Sequence, residues 1–133
     1  MPPADRKRSS LSVLLIAEDR LIGGDLAVTL EEMGYGVIMT SINGALASGF
    51  SSSADLVVID VAAVRRGDAV ETGGRIGRWL GRPVVYLVDD DNEASRVGEQ
   101  SPGTPCVMWP FPPRALNDAL QRALDATHAG PHS

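Results

Sequence analysis

The sequence lacks the features that mark several large classes of protein. It contains one cysteine, Cys106, among 133 residues, so no disulfide forms within the chain, as is usual for proteins of a reducing cytoplasm. No apolar run approaches the roughly 20 residues that a membrane-spanning helix needs. The net charge of −5 argues against a basic face for nucleic acid. We therefore expect a cytoplasmic protein that binds neither membrane nor nucleic acid.

The N-terminal segment superficially imitates a secretory signal peptide. A basic run at residues 6–8 precedes an apolar stretch at residues 11–17. The stretch is short, ends in two acids and has no small-residue cleavage pattern, so it fits a first β-strand instead. We expect a flexible tail over residues 1–10, one folded domain over residues 11–127 and a second flexible tail over residues 128–133.

Short aliphatic runs alternate with stretches of helical periodicity through the predicted domain. Such runs are typical of fully buried strands in a parallel sheet. The predicted strands cover residues 13–17, 37–40, 55–60, 84–88 and 106–109, and the predicted helices cover residues 21–33, 43–50, 70–80 and 113–127. This order predicts an α/β fold, a doubly wound five-stranded parallel sheet with helices on both faces.

The helices differ in how clearly their apolar faces are marked. The first helix has one apolar face, with predicted buried residues Ile22, Leu26, Leu30 and Met33. The last helix has another, with predicted buried residues Leu116, Leu120 and Leu124. Residues 89–105, between the fourth and fifth strands, offer only Ala94 and Val97 to the core. We expect at most one or two helical turns there, and local mobility, because little apolar area anchors the segment.

Acids follow two of the predicted strands. Glu18 and Asp19 end the first apolar run, and Asp60 ends the third. The carboxyl ends of parallel strands open into the crevice where ligands bind. At about 4 Å and an effective dielectric near 20, each pair of carboxylates repels by roughly 4 kcal/mol. A fold tolerates this only if the acids recruit a cation, share a proton or perform chemistry.

Further residues extend this pattern: Pro83 precedes the fourth strand, and Pro110-Phe111 follows the fifth. Over residues 12–126 the chain resembles the receiver domain of bacterial response regulators, whose fold is flavodoxin-like. The resemblance implies that Asp60 accepts a phosphoryl group from the phosphohistidine of a kinase. It also implies that Glu18, Asp19 and Asp60 hold Mg²⁺, a hard cation that prefers carboxylate oxygens.

Several positions depart from the family's pattern. Val88 stands where the family has a Thr or Ser hydroxyl, and Trp109 stands where it has a Lys. Cys106 replaces the aromatic switch residue. The loop after the phosphoacceptor, which in the family carries a Pro and a Gly in a tight turn, reads VAAVRRGD over residues 61–68. We interpret the chain as a stand-alone atypical receiver, a protein-interaction module in two-component signal transduction with impaired or absent phosphorylation switching. The alternative is a working Mg²⁺-dependent phosphoacceptor, Asp60, in a phosphorelay.

The resemblance also suggests the partners. We expect a histidine kinase or another signalling protein, or a homodimer, on the face formed by the short helix within residues 89–105, the fifth strand and the last helix. We expect no enzymatic activity. An unrelated flavodoxin-like enzyme or nucleotide binder is a third interpretation, but the sequence offers no nucleophile–base pair. The glycine-rich run at residues 73–77 lacks the context of a phosphate loop.

Overall fold

Strands and helices alternate along the chain in the computed structural model, which describes residues 11–18, 20–46, 53–60, 69–88, 91–100, 103–108 and 111–129. The strands are β1 (Ser12–Ile16), β2 (Gly36–Thr40), β3 (Leu56–Asp60), β4 (Val84–Val88) and β5 (Cys106–Met108). The helices are α1 (Arg20–Glu32), α2 (Ile42–Leu46), α3 (Ala69–Leu80), α4 (Asp91–Gln100) and α5 (Pro113–Ala129).

The five strands form one parallel sheet in the order β2-β1-β3-β4-β5. All five residues of β3 are buried, which explains why this strand reads as an unbroken apolar run ending in one acid. The predicted doubly wound parallel sheet is therefore confirmed. Its strand order is that of the flavodoxin-like class.

Helices cover both faces of the sheet, as predicted. Alternate strand residues such as Val13 and Val58 pack with α1 and α5 in a first core, and their neighbours pack with α2, α3 and α4 in a second core. Leu116 and Leu120 of α5 are fully buried, which confirms the apolar face predicted for the last helix. That helix ends at Ala129, two residues later than expected.

The first helix departs from the prediction at one residue of its apolar face. Leu26 and Leu30 are buried as expected, but Ile22 is 38% exposed. Gly23 faces the sheet instead: a Cβ on this residue would lie 2.7 Å from Met39 Sδ and 3.3 Å from Ala17 Cβ. The first turn of α1 thus approaches the sheet more closely than a larger residue would allow, and Ile22 lies outside the core.

The segment before β5 is more regular than predicted. Helix α4 spans ten residues, so the expectation of at most one or two turns is wrong. Val97 is 1% exposed in the second core and Ala94 packs against it. Asp91 and Glu93 lie in the first turn, where carboxylates interact favourably with the helix dipole. One well-placed anchor and a favourable first turn suffice for the helix, and its mobility stays a prediction.

Candidate functional site

The candidate site lies at the carboxyl ends of β1, β3 and β4. Strand β1 pairs with β2 on one side and β3 on the other, so the strand order reverses at β1. In open α/β sheets the crevice at such a reversal is the usual place for a ligand. The residues at these three strand ends therefore decide what chemistry the site supports.

Asp60 is the last residue of β3 and is 1% exposed. It is the one buried polar or charged residue among the residues described, and both carboxylate oxygens are shielded from solvent. Asp60 pairs in register with Leu87 of β4. A carboxylate in such a place is strongly influenced by any cation that reaches the strand ends, because water screens it little.

Glu18 follows the neighbouring strand. The Ala17 N–H donates to the Thr40 carbonyl at 3.0 Å, so the chain stays bound to β2 until just before Glu18, whose side chain is exposed. Asp19 lies outside the described residues. The structure thus confirms that two of the three predicted acids follow adjacent strands, and the convergence of all three side chains stays a prediction.

A hard divalent cation fits the donors that these strand ends supply. Asp60 and Glu18 both offer carboxylate oxygens, the ligands that Mg²⁺ prefers. Within the described ranges no three His, Cys, Asp or Glu residues come together as a metal-binding group. A third protein carboxylate for such an ion would have to come from elsewhere, and Asp19 is the residue that the sequence nominates.

Val88 ends β4, one residue beyond the Asp60–Leu87 pair. It is fully buried in the second core, in the same apolar cluster as Ile59 and Tyr86. Valine has no hydroxyl, so this side chain neither donates to nor accepts from a ligand at the strand ends. The position expected to sense a phosphoryl group is part of the hydrophobic core.

Cys106 begins β5 and pairs in register with Tyr86. Burial raises the pKa of the Cys106 thiol, and the Arg122 guanidinium partly opposes this effect by favouring the thiolate. The desolvation effect is the larger one, so the thiol stays protonated at neutral pH. Trp109, the third altered position, lies outside the described residues, as do residues 61–68.

A groove runs between β5 and α5. It has a volume of about 720 Å³ and is lined by Met108, Phe111, Arg122, Cys106 and neighbouring residues. Strand β5 is an edge of the sheet, so its outer backbone groups have no strand partner. The resemblance to receiver domains suggested this face as a partner surface. The sequence gave no indication of a groove, because the groove depends on how α5 lies against the short edge strand.

Solved structures of receiver domains superpose on most of this chain. A response regulator receiver protein of Sinorhizobium medicae matches with 24% identity and a TM-score of 0.69 over 89% of this chain and 97% of its own. Chemotaxis protein CheY4 of Vibrio cholerae matches with 22% identity and a TM-score of 0.70 over 86% and 99%. The chain has the receiver-domain fold.

The same fold is found in a protein named for pilus assembly rather than for signalling. A pilus assembly-related protein of Burkholderia pseudomallei matches with 25% identity and a TM-score of 0.62, over 89% of this chain and 92% of its own. No protein-family model and no curated protein sequence matches the chain. In the part of the chain that is described, no helix has the length and hydropathy to span a bilayer.

Proposed function

We propose that the chain is a protein-interaction module of two-component signal transduction whose phosphorylation switch is impaired or absent. The observation that carries this proposal is the burial of Val88 in the apolar core at the strand end next to Asp60. In the receiver family this position supplies a hydroxyl to the phosphoryl group. A hydrogen bond to such a charged group contributes about 1.5–3 kcal/mol, and a valine contributes none.

Two further positions support the same proposal. Cys106 stands where the family has its aromatic switch residue, and it is a half-buried strand residue paired with Tyr86. Trp109 replaces the family's lysine, which removes a positive charge from the site. A phosphorylated Asp60 would therefore lack both the hydroxyl and the ammonium group that stabilise the product in the family.

The alternative function, a Mg²⁺-dependent phosphoacceptor, is supported by the acids themselves. Asp60 is a shielded carboxylate at the end of a central strand, and Glu18 follows the adjacent strand. Glu18, Asp19 and Asp60 would hold Mg²⁺, which neutralises negative charge on carboxylates and phosphoryl oxygens. In this alternative Asp60 is the nucleophile, and Glu18 and Asp19 help to hold the metal ion beside it.

Phosphorylation is tested with acetyl phosphate and Mg²⁺, followed by intact-protein mass spectrometry. We expect no phosphoryl adduct at millimolar reagent. The matched control is Asp60→Asn, which keeps the shape of the side chain and removes the nucleophile. An adduct that forms on the wild type and is absent from Asp60→Asn would establish the phosphoacceptor and refute the impaired switch.

For the partner surface we propose the face of α4, β5 and α5. Its groove of about 720 Å³ and its open strand edge offer both apolar contact and backbone hydrogen bonds to a protein partner. Met108, at the end of the edge strand, is 38% exposed. We propose a histidine kinase or another signalling protein as the occupant. A second copy of the chain is the other outcome to be tested.

Hydrogen exchange tests this surface. Adding a candidate kinase should slow amide exchange in α4 and β5, and Met108→Glu should abolish that protection, because a buried charge opposes docking. Exposed Val28 of α1, replaced by Glu, is the control and should leave the protection unchanged. Light scattering on the free protein identifies a homodimer. Identical exchange with and without every candidate would contradict the proposed surface.

The pathway itself needs a separate test, because one matched structure is described as pilus assembly-related. A receiver fold without a working switch would serve as a docking module in either setting. Comparing signalling kinases with assembly proteins in the same exchange experiment distinguishes the two. Protection by a kinase supports the two-component assignment, and protection by an assembly protein alone would overturn it.

A further inference from the structure

A second cavity, open to solvent, lies between the end of α3 and the start of β4, at the opposite end of β4 from the candidate site. Its volume is about 440 Å³, within the range of sites that hold small molecules. Its walls combine glycines and polar or charged groups: Gly74, Gly77, Arg78, Gly81, Arg82 and Thr104, together with Pro83, Val84 and Tyr86. Nothing in the proposed signalling function uses this cavity.

Positive charge is concentrated around this cavity in an otherwise acidic protein. Residues 75–82 contain three arginines and no acid, whereas the whole chain has a net charge of −5. Two of these arginines, Arg78 and Arg82, line the cavity. In the described part of the chain neither guanidinium forms an ion pair. Guanidinium groups that line one cavity suit phosphate oxygens, because each presents several N–H donors in a planar fork.

The backbone hydrogen bonds that end α3 place the two arginines beside the cavity. The Arg82 N–H donates to the Gly77 carbonyl at 3.0 Å, and the Gly81 N–H donates to the Arg78 carbonyl at 3.2 Å, a Schellman motif with Gly81 at φ +69°. These bonds occupy carbonyls that would otherwise present negative charge at the helix end. The same turn brings Arg78 and Arg82 to one cavity.

Two glycines of α3, Gly74 and Gly77, form part of the cavity wall. A Cβ on Gly77 would collide with Val84 Cγ2 and lie 3.2 Å from the Arg82 carbonyl oxygen, so packing alone explains this glycine. Gly74 lies one turn earlier and forms part of the cavity wall. With glycine at this position the wall carries no side chain, and the cavity volume of about 440 Å³ leaves room for a ligand larger than a lone phosphate.

We propose that this cavity binds a small phosphate ester of about nucleotide size, with the phosphate on Arg78 and Arg82. Thr104, which also lines the cavity, adds a hydroxyl that both donates and accepts hydrogen bonds. The glycine-lined side of α3 accommodates the organic part. The site requires neither Asp60 nor a metal ion, so it stands or falls separately from the proposed signalling function.

The test is an amide-resolved NMR titration with ADP and with inorganic phosphate, carried out in EDTA so that no metal contributes. We expect saturable shifts at the amides of Gly74, Gly77 and Thr104, with ADP binding more tightly than phosphate. Asp60→Asn should bind ADP as the wild type does. Shifts that fail to saturate at millimolar ADP, or equal affinities for ADP and phosphate, would overturn the proposal.

Matched variants distinguish a specific ADP site from nonspecific electrostatic attraction to the arginines. Arg78→Gln and Arg82→Gln should each weaken ADP binding by about tenfold, the effect of one lost charge-assisted hydrogen bond. Arg75→Gln is the control, because Arg75 is exposed on the same helix and does not line the cavity. An equal loss in Arg75→Gln would indicate nonspecific electrostatics. Gly74→Leu adds a bulky side chain to the cavity wall and should weaken ADP binding, with the remaining spectrum showing that the fold persists.

Discussion

Replacing Val88 with threonine restores the hydroxyl that the receiver family carries at this position and tests whether the position has become part of the core. Val88 is fully buried among apolar residues that include Ile59 and Tyr86. The substitution exchanges a buried methyl group for a hydroxyl. Losing the methyl costs about 0.8 kcal/mol, and burying a hydroxyl in apolar surroundings costs about 1–3 kcal/mol. We expect the free energy of unfolding to fall by about 2–4 kcal/mol.

The matched control is Val85→Thr in the same strand. Val85 is also fully buried, but in the first core and in the middle of β4. Equilibrium unfolding in urea, followed by circular dichroism, gives both free energies. Equal losses in the two variants indicate that Val88 is core. A loss below about 0.5 kcal/mol at position 88 alone would show a polar environment there, and would remove the main reason to infer an impaired switch.

Two other predictions concern glycines and the thiol. Gly98→Ala in α4 should raise the free energy of unfolding by about 0.5–1 kcal/mol, since nothing lies within 4 Å of the new Cβ. Gly73→Ala should lower it by about 1–3 kcal/mol, because the Cβ would collide with Ile59 Cδ1 and lie 2.9 Å from Tyr86 Cε1; stabilisation in both variants would contradict the packing described. Because burial raises its pKa, the Cys106 thiol should react with iodoacetamide more slowly than free cysteine at neutral pH, and its rate should keep rising above the usual thiol pKa. Arg122→Gln should slow the reaction further, and an acceleration would show that Arg122 does not favour the thiolate.

The sheet could be predicted from the sequence because its strands are short and nearly pure in aliphatic residues. Every residue of β3, Leu56–Asp60, is buried. An apolar run of this length has few structural interpretations other than a buried strand. The placement of Glu18 and Asp60 at the same end of the sheet followed from parallel topology, since each follows or ends one of two adjacent parallel strands. These inferences needed only local pattern and a general rule of α/β folds.

Features that depend on tertiary contacts could not be predicted in the same way. The exposure of Ile22 accompanies the close approach of Gly23 to Met39, which helical periodicity does not reveal. The length of α4 depends on Val97 reaching the second core. At the site, the last residue of a strand such as Val88 can face either the core or the crevice. Only its packing in the structure distinguishes the two.

The response of the wild-type protein to Mg²⁺ and beryllofluoride tests the central claim most directly. Beryllofluoride mimics a phosphoryl group on an aspartate, so amide spectra report whether occupancy of Asp60 reaches the partner face. We predict that the chemical shifts of the amides in α4, β5 and α5 do not change at millimolar reagent. Shifts across these elements that disappear in Asp60→Asn would show a working switch and would contradict the proposal that phosphorylation switching is impaired or absent.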